Sequence, residues 1–267
     1  MATTISFGIQ KGGVGKTSVC GITSWLLSRE YKVLSVDFDS QGNLTQFLTQ
    51  KDIYDFTKHT AFEACKEKDP RPYIYNIPGR ENLYILPAED FLSQFDRYVY
   101  DEYKPILLRT KEFNSNALSL LLKETLEVVN NDYDFICIDL PPNLGTQTIN
   151  GIAASDYAVV MFQSEPWCRS ALERYLETIL AVRDKVSPNL EVAGILTSMI
   201  DTRTTLGNTL VEDVRETYGD LVFDTTIRRR ARITEFSFDG ISDSTKNDKE
   251  ALVLYEDFLK ELIERVC

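Results

Sequence analysis

The sequence predicts an α/β fold in which a doubly wound, mostly parallel sheet carries helices on both faces. Segments typical of buried strands alternate with segments of helical period along the whole chain. Acidic side chains follow two of the predicted strands, as they do at the ligand-binding edge of such sheets. No repeat, low-complexity stretch or linker interrupts the alternation, so residues 1–267 are expected to form a single domain.

A glycine-rich turn joins the first predicted strand, residues 5–9, to the first predicted helix. The helix shows its 3.6-residue period in four apolar residues: Val19, Ile22, Leu26 and Leu27. The turn reads Lys11, Gly12, Gly13, Val14, Gly15, Lys16, Thr17 and Ser18. Glycines let the backbone turn sharply and point its N–H groups inward, and the positive end of the helix faces the same spot. The turn is therefore predicted to bind phosphates, with Lys16 on the outer phosphates and the Thr17 hydroxyl on magnesium.

The turn departs from the common pattern G-x-x-x-x-G-K-[ST] at its first position. Gln10 stands where the first glycine belongs, and an additional lysine, Lys11, stands at the entrance of the loop. The alternative interpretation is an ordinary glycine turn with incidental lysines. The strand before the turn and the helix after it favour a nucleotide-binding loop.

Acidic residues mark the ends of two further predicted strands. Residues 32–38 form an apolar strand with Asp37 and Asp39 at its end, and residues 134–139 form another that ends at Asp139. Carboxyl ends of parallel strands meet at one edge of a sheet, so the three acids are predicted to share a crevice with the loop. The alternative is that acids in this position cap the next helix.

The rest of the chain continues the alternation. Residues 51–114 are less regular, with four prolines, and are predicted to contain a helix at 56–66, a strand at 83–86 and a helix after Glu89. Their many Tyr and Phe residues are expected to pack in the core, with a partner surface as the alternative. Residues 116–130 have helical spacing. Later strands are predicted at 157–163, 191–198 and 221–225, and helices at 169–185, 205–218 and 249–266.

Composition limits the class of protein. With 43% hydrophobic and 26% charged residues, the chain has the composition of a soluble globular protein. No apolar run reaches the roughly 18 residues of a membrane span, and a strand begins too early for a signal peptide. Five cysteines without metal-ligand spacing indicate a reduced, cytoplasmic location, and a single histidine argues against a histidine-based metal site. The net charge of −12 argues against nucleic-acid binding over the whole surface.

Four segments resemble, in order, the motifs of the ParA/MinD ATPases with their deviant Walker A loop. They read KGGVGKT at 11–17, VDFDSQGNLT at 36–45, ICIDLPPNLG at 136–145 and IDTRTTL at 200–206. An arginine-rich stretch near residue 230 also matches, and the most similar group is the short, Soj-like partition ATPases. The resemblance covers nearly the whole chain and implies a P-loop NTPase fold.

The resemblance implies a role for each matching position. Lys16 and the loop amides of residues 12–18 would hold the phosphates of ATP, and Lys11 would reach the partner's nucleotide across an ATP-bound homodimer. Thr17 would bind Mg²⁺ directly, with Asp37 and Asp139 acting through water, and Asp39 would position the attacking water. The residues expected around adenine are Met199, Arg228 and Arg229.

Basic residues late in the chain suggest a local nucleic-acid surface. Arg228, Arg229, Arg230 and Arg232 put four positive charges into five residues, and Arg203 lies earlier. They could instead neutralise nearby acids or face water. Matching arginines in Soj-like proteins bind DNA non-specifically, so the resemblance implies a nucleoid-associated partition ATPase. A ParB-like centromere-binding protein would stimulate its weak hydrolysis.

The main alternative is a MinD-like, membrane-associated positioning ATPase. That function needs a basic amphipathic anchor, whereas the chain ends in the acidic sequence ELIERVC, so no membrane partner is expected. An electron-transfer ATPase of the nitrogenase iron-protein type would need cysteine ligands for a cluster. A binding module without catalysis would leave Lys11, Asp39 and Asp139 unexplained.

Overall fold

A computed structural model describes residues 1–165, 168–200 and 205–267, with side chains at all of these except 199–200 and 205–208. Within these ranges eight strands form one sheet in the order β3-β4-β2-β5-β1-β6-β7-β8. The strands are β1 (Thr3–Gly8), β2 (Val33–Asp37), β3 (Tyr75–Asn76), β4 (Leu83–Leu86), β5 (Phe135–Asp139), β6 (Tyr157–Gln163), β7 (Glu191–Ile200) and β8 (Val222–Arg228).

Helices connect these strands. They are α1 (Lys16–Leu27), α2 (Asn43–Thr49), α3 (Ala61–Glu67), α4 (Phe95–Tyr98), α5 (Lys104–Thr110), α6 (Leu121–Glu127), α7 (Thr146–Ala153), α8 (Cys168–Lys185), α9 (Thr205–Tyr218), α10 (Ala231–Asp239) and α11 (Lys246–Val266). A π-helical turn, Val99–Tyr103, joins α4 to α5, and short 3-10 turns precede α3, α4 and α6.

The sheet has the mostly parallel, doubly wound character that the sequence predicts. Across the described strands every pairing is parallel except that of β3 with β4. The central strand β1 lies between β5 and β6, and all five residues of β5 are buried. Strands covered by helices on both faces need apolar side chains on both sides, which explains their continuous apolar runs.

Most predicted elements are confirmed, some with different ends. Strand β6 has its predicted bounds, α8 begins one residue earlier than predicted and β8 extends three residues further. The helix predicted at 56–66 begins only at Ala61, because the side chain of Thr60 accepts a hydrogen bond from Phe62 N and so caps it there. Helices α2, α7 and α10 were not predicted.

The aromatic residues of the middle region serve mainly as core, as predicted. Phe95, Tyr98 and Tyr103 are buried, and the Phe95 ring packs edge-on against Phe38, which directly follows β2, at 5.2 Å between centroids. Phe91 and Tyr100 are exposed. The segment that carries α4 therefore covers the carboxyl edge of the sheet, where the predicted site residues lie.

Candidate nucleotide site

The loop between β1 and α1 has the backbone of an anion cradle. Gly13 and Gly15 have φ values of +76° and +79°, in the left-handed region, and Gly15 is the residue from which α1 starts. A Cβ added at Gly12 or Gly13 would meet no atom within 4 Å, so this side of the loop is open. A phosphate can therefore approach the backbone amides at the helix N-terminus closely.

The far side of the loop is fixed to the sheet by a residue that the sequence analysis missed. Ser198, in β7, is fully buried and donates its hydroxyl to Val14 O at 2.6 Å. Val14 itself is buried in the core. A single serine near the end of an apolar strand matches no sequence motif. Only the tertiary structure therefore reveals this bond, which we call the Ser198 anchor.

Asp139 and Thr17 form the polar pair expected at a magnesium site. Thr17 Oγ1 donates to Asp139 Oδ2 at 2.6 Å, while Asp139 Oδ1 is buried with no hydrogen-bond partner in the described part of the chain. Burial raises the pKa of Asp139 to about 7, against the opposing effects of the Lys16 charge and the Thr17 hydroxyl. A cation next to this pair would stabilise the carboxylate.

Asp37 lies beside Asp139, as predicted, but its oxygens are used within the chain. The two acids are paired residues of β2 and β5. Asp37 Oδ2 accepts bonds from Thr45 N at 2.7 Å and Thr45 Oγ1 at 2.8 Å, and Oδ1 accepts one from Asp39 N at 3.3 Å. Burial and the charge of Asp139 raise its pKa to about 8. This geometry favours the capping role that the sequence left open and does not support a metal role for Asp37.

Asp39 lies in the same cavity as the loop. The cavity has a volume of about 440 Å³, and Gly12, Lys16, Thr17 and Asp39 all contribute to its lining. Asp39 Oδ1 accepts a bond from Gln41 N at 3.1 Å, which fixes the orientation of the carboxylate. Further lining residues that the sequence analysis did not single out are Gln41, Asn43, Gln46 and, from α10, Ser237. The first two belong to the QGN of the second motif, whereas Ser237 has no sequence signal.

The two loop lysines have different surroundings. Lys16 is buried, and its Nζ donates to Lys11 O across the loop at 3.5 Å. Lys11 Nζ forms an ion pair with Glu165 and lies 3.1 Å from Cys168 Sγ. In the isolated chain Lys16 therefore lines the cavity, whereas Lys11 contacts residues that follow β6.

These residues fit a magnesium-bound nucleotide. Within the described residues no group of three His, Cys, Asp or Glu side chains is arranged to hold a metal ion. Mg²⁺ in nucleotide sites takes few protein ligands and completes its shell with phosphate oxygens and water. The Thr17 hydroxyl, the unpartnered oxygen of Asp139 and the open glycine loop match that mode of binding.

The basic residues predicted to bind DNA do not all have the same role. Arg228, Arg229 and Arg230 are exposed at the end of β8, and none of them pairs with a carboxylate among the described residues. Arg203 and the side chain of Met199 lie outside the described residues. Arg228 pairs with Ile200 of β7, so the residues expected around adenine lie at the carboxyl ends of two adjacent strands.

The structure corrects the interpretation of Arg232. Its Nε donates to Asp248 Oδ1 at 2.6 Å, and its NH1 group pairs with Asp239 at 2.7 Å and Glu235 at 3.1 Å. Although burial acts to raise it, the bond from Arg232 holds the pKa of Asp248 well below its usual range. Three carboxylates neutralise the guanidinium, so Arg232 joins α10 to the start of α11, and this pairing favours the alternative that it neutralises nearby acids.

The chain is similar to known proteins over nearly its whole length. A family model described as an AAA domain matches residues 2–192. The chain is 32% identical over 267 residues to the chromosome-partitioning ATPase Soj of Treponema pallidum, covering 99% of this chain and 98% of the relative.

Solved structures show the same fold. Apo McdA of Cyanothece has a TM-score of 0.82 at 22% identity, covering 98% of this chain and all of that one. Cobyrinic acid a,c-diamide synthase of Mycobacterium smegmatis, solved with ADP and magnesium, has a TM-score of 0.78 at 26% identity, covering 99% and 95%. With the deviant loop, its acids and a full-length relative of this kind, the chain belongs to the ParA/Soj family of partition ATPases.

Proposed function

We propose that this chain is a partition ATPase in which ATP and Mg²⁺ control homodimerisation and non-specific DNA binding. A ParB-like centromere-binding protein stimulates its slow hydrolysis, and the protein works in the cytoplasm on the nucleoid. The observation that carries the proposal is the convergence of Lys16, Thr17 and Asp39 with the open glycine loop on one cavity. The relative of nearly equal length named as a chromosome-partitioning ATPase supports the cellular role.

Hydrolysis needs few chemical groups here, because phosphoryl transfer depends mainly on positioning and on charge neutralisation. The loop amides and Lys16 hold the phosphates, and Thr17, oriented by Asp139, offers its hydroxyl to magnesium. Bound magnesium supplies positive charge to the phosphate oxygens. Asp39, whose carboxylate is oriented by Gln41 N, accepts a hydrogen bond from the attacking water.

Slow turnover in the isolated chain follows from the location of the lysines. A nucleoside triphosphate brings more negative charge than Lys16 alone offsets. Lys11 is engaged with Glu165 and does not supply the second charge. In the proposed dimer, Lys11 of each chain neutralises the nucleotide of the other, so the site is complete only when two chains meet.

DNA binding is assigned to the arginines that end β8. Arg228, Arg229 and Arg230 remain exposed, and the net charge of −12 makes this local concentration of positive charge distinctive. Dimerisation combines two such patches. Because each phosphate contact releases counterions, doubling the contacts raises affinity and steepens the dependence on salt.

The test is a salt titration of DNA binding with ATP, with ADP and without nucleotide. We expect tight, salt-sensitive binding only with ATP; equal affinity in all three states would overturn the proposal. Arg230→Ala should weaken binding to all sequences and reduce the salt slope by about one per lost phosphate contact in each chain. Arg97→Ala, which removes an arginine whose side chain is 79% exposed elsewhere, is the matched control.

The membrane-associated alternative would need a helix with an apolar face free to contact lipid. None of the described helices is long and apolar enough to cross a membrane. The apolar face of α11 is committed to the core: Leu252, Phe258 and Leu262 are buried, and Phe258 packs against Phe223 of β8 at 4.9 Å between ring centroids. A helix that packs in this way does not offer its apolar face to lipid.

A further inference from the structure

Lys11 is bound within its own chain by two side-chain contacts. Its Nζ pairs with the Glu165 carboxylate and lies 3.1 Å from Cys168 Sγ. Cys168 is fully buried at the start of α8, so the Lys11 ammonium is directed toward the N-terminal end of that helix. This contact joins the nucleotide loop to a segment more than 150 residues later in the sequence.

Glu165 is itself held in place. Its Oε1 accepts a bond from Gln163 Nε2 at 2.8 Å, and Gln163 is the last residue of β6, the strand beside β1. Its backbone N–H donates to Gln163 O at 2.7 Å, and its carbonyl accepts from Cys168 N at 2.9 Å. The carboxylate is therefore presented to Lys11 from a fixed position and is not a freely moving surface group.

We propose that Glu165 is a latch that restrains Lys11 in the isolated chain and sets how readily the ATP-bound chain dimerises. The inference rests on the proposed function, in which Lys11 reaches the nucleotide of a second copy. A lysine ammonium on its flexible stem can leave Glu165 without a backbone change, and Lys11 gives up this pair when it reaches the nucleotide of the second copy. Each dimer that forms must therefore open two latches.

The expected size of the effect follows from the exposure of the pair. The side chains of Lys11 and Glu165 are 24% and 49% exposed, so solvent screens much of their attraction. Such pairs shift an equilibrium by about two- to fivefold. Because a dimer opens two latches, removing them should tighten the dimer dissociation constant by the square of that factor, about 4- to 25-fold.

The experiment measures the dimer dissociation constant by sedimentation velocity at a saturating concentration of AMPPNP and Mg²⁺. The variants are the wild type, Glu165→Gln, Lys11→Ala and the double variant. Saturation separates dimerisation from any change in nucleotide affinity. Glu124→Gln, which removes the charge of a comparable exposed pair with Lys68 away from the site, is the matched control, and thermal melting confirms that each variant is folded.

We expect tighter dimerisation for Glu165→Gln, no change for Glu124→Gln and no effect of the Glu165 substitution when Lys11 is already alanine. An unchanged or weaker dimer in Glu165→Gln would overturn the latch, as would a gain that persists in the double variant. A wild type that binds AMPPNP but stays monomeric at every concentration would instead refute the proposed function itself.

Discussion

The Ser198 anchor gives the sharpest test of how the loop is held. Ser198→Ala removes the hydroxyl that donates to Val14 O at 2.6 Å inside the core. The carbonyl oxygen then loses a buried hydrogen bond, which costs about 1–2 kcal/mol of folding stability. For a chain of this size that loss lowers Tm by about 2–6 °C. The same substitution releases the loop backbone at Val14. Ordering the loop when nucleotide binds then costs free energy that the Ser198 bond supplies in the wild type.

The magnitude of the binding effect is bounded by the same bond. If all of its free energy serves to hold the loop in the binding conformation, the nucleotide dissociation constant rises by at most about 5- to 30-fold. Titration of the variant with a fluorescent ATP analogue and Mg²⁺ measures this rise directly. A thermal melt of the same sample gives the cost in stability.

Ser187→Ala is a matched control because it removes a similar bond at a distance from the loop. Ser187 is also buried and donates its hydroxyl to Ala153 O at 2.7 Å, at the end of α7. Both variants should lose comparable stability, but only Ser198→Ala should bind nucleotide more weakly. Equal nucleotide affinity in the two variants would show that the anchor supports the fold alone and would refute the reasoning.

Two further predictions concern an acid at the site and an acid away from it. Asp39→Ala should keep nucleotide binding but reduce ATP turnover at least about 100-fold, because the water loses its orienting carboxylate; single-turnover hydrolysis measures this, and unchanged turnover would remove Asp39 from catalysis. The pair with Arg232 lowers the pKa of Asp248 in the folded chain. The stability that this pair provides is therefore fully present above the ordinary pKa of an aspartate and is lost as pH falls toward the lowered pKa of Asp248. The difference in urea stability between the wild type and Asp248→Asn should therefore be constant near neutral pH and shrink below about pH 4; a difference that persists in acid would contradict it.

The sequence predicted which residues lie together at the loop where the parts are local. The turn, Thr17 and the acids at the ends of β2 and β5 follow from a strand-turn-helix pattern and from the geometry of parallel strands. Ser198 and Ser237 could not be predicted, because each comes from an element distant in sequence and is polar in an otherwise unremarkable segment. What places them at the loop is the packing of the whole sheet.

The role of a charged residue depends on its partner in the fold, which the sequence does not show. Arg232 stands in a basic run, yet its partner Asp248 lies 16 residues further on, in the capping box that begins α11. Asp37 has the position of a metal-site acid, yet its carboxylate accepts hydrogen bonds from Thr45 in the first turn of α2. In both cases one member of the contact lies on an unpredicted short helix: Arg232 on α10 and Thr45 on α2.

The contacts of the nucleotide loop divide into two kinds when they are compared with what a bound nucleotide requires. Ser198 donates its hydroxyl proton from β7 to the loop carbonyl of Val14, and Thr17 donates its own to Asp139 of β5. The lone pairs of Thr17 stay available for a metal ion, so both bonds are compatible with nucleotide binding. Lys11 and Lys16 instead donate to Glu165 and to a loop carbonyl, and ammonium groups have no other way to bind than by donating. Each ammonium has three donors, so under the proposed function Lys16 can bind phosphate in addition to Lys11 O, whereas Lys11 must leave Glu165 to reach a second chain. The hydroxyls thus keep the loop in place while Lys11 changes partners, and the pair with Glu165 sets the cost of that change.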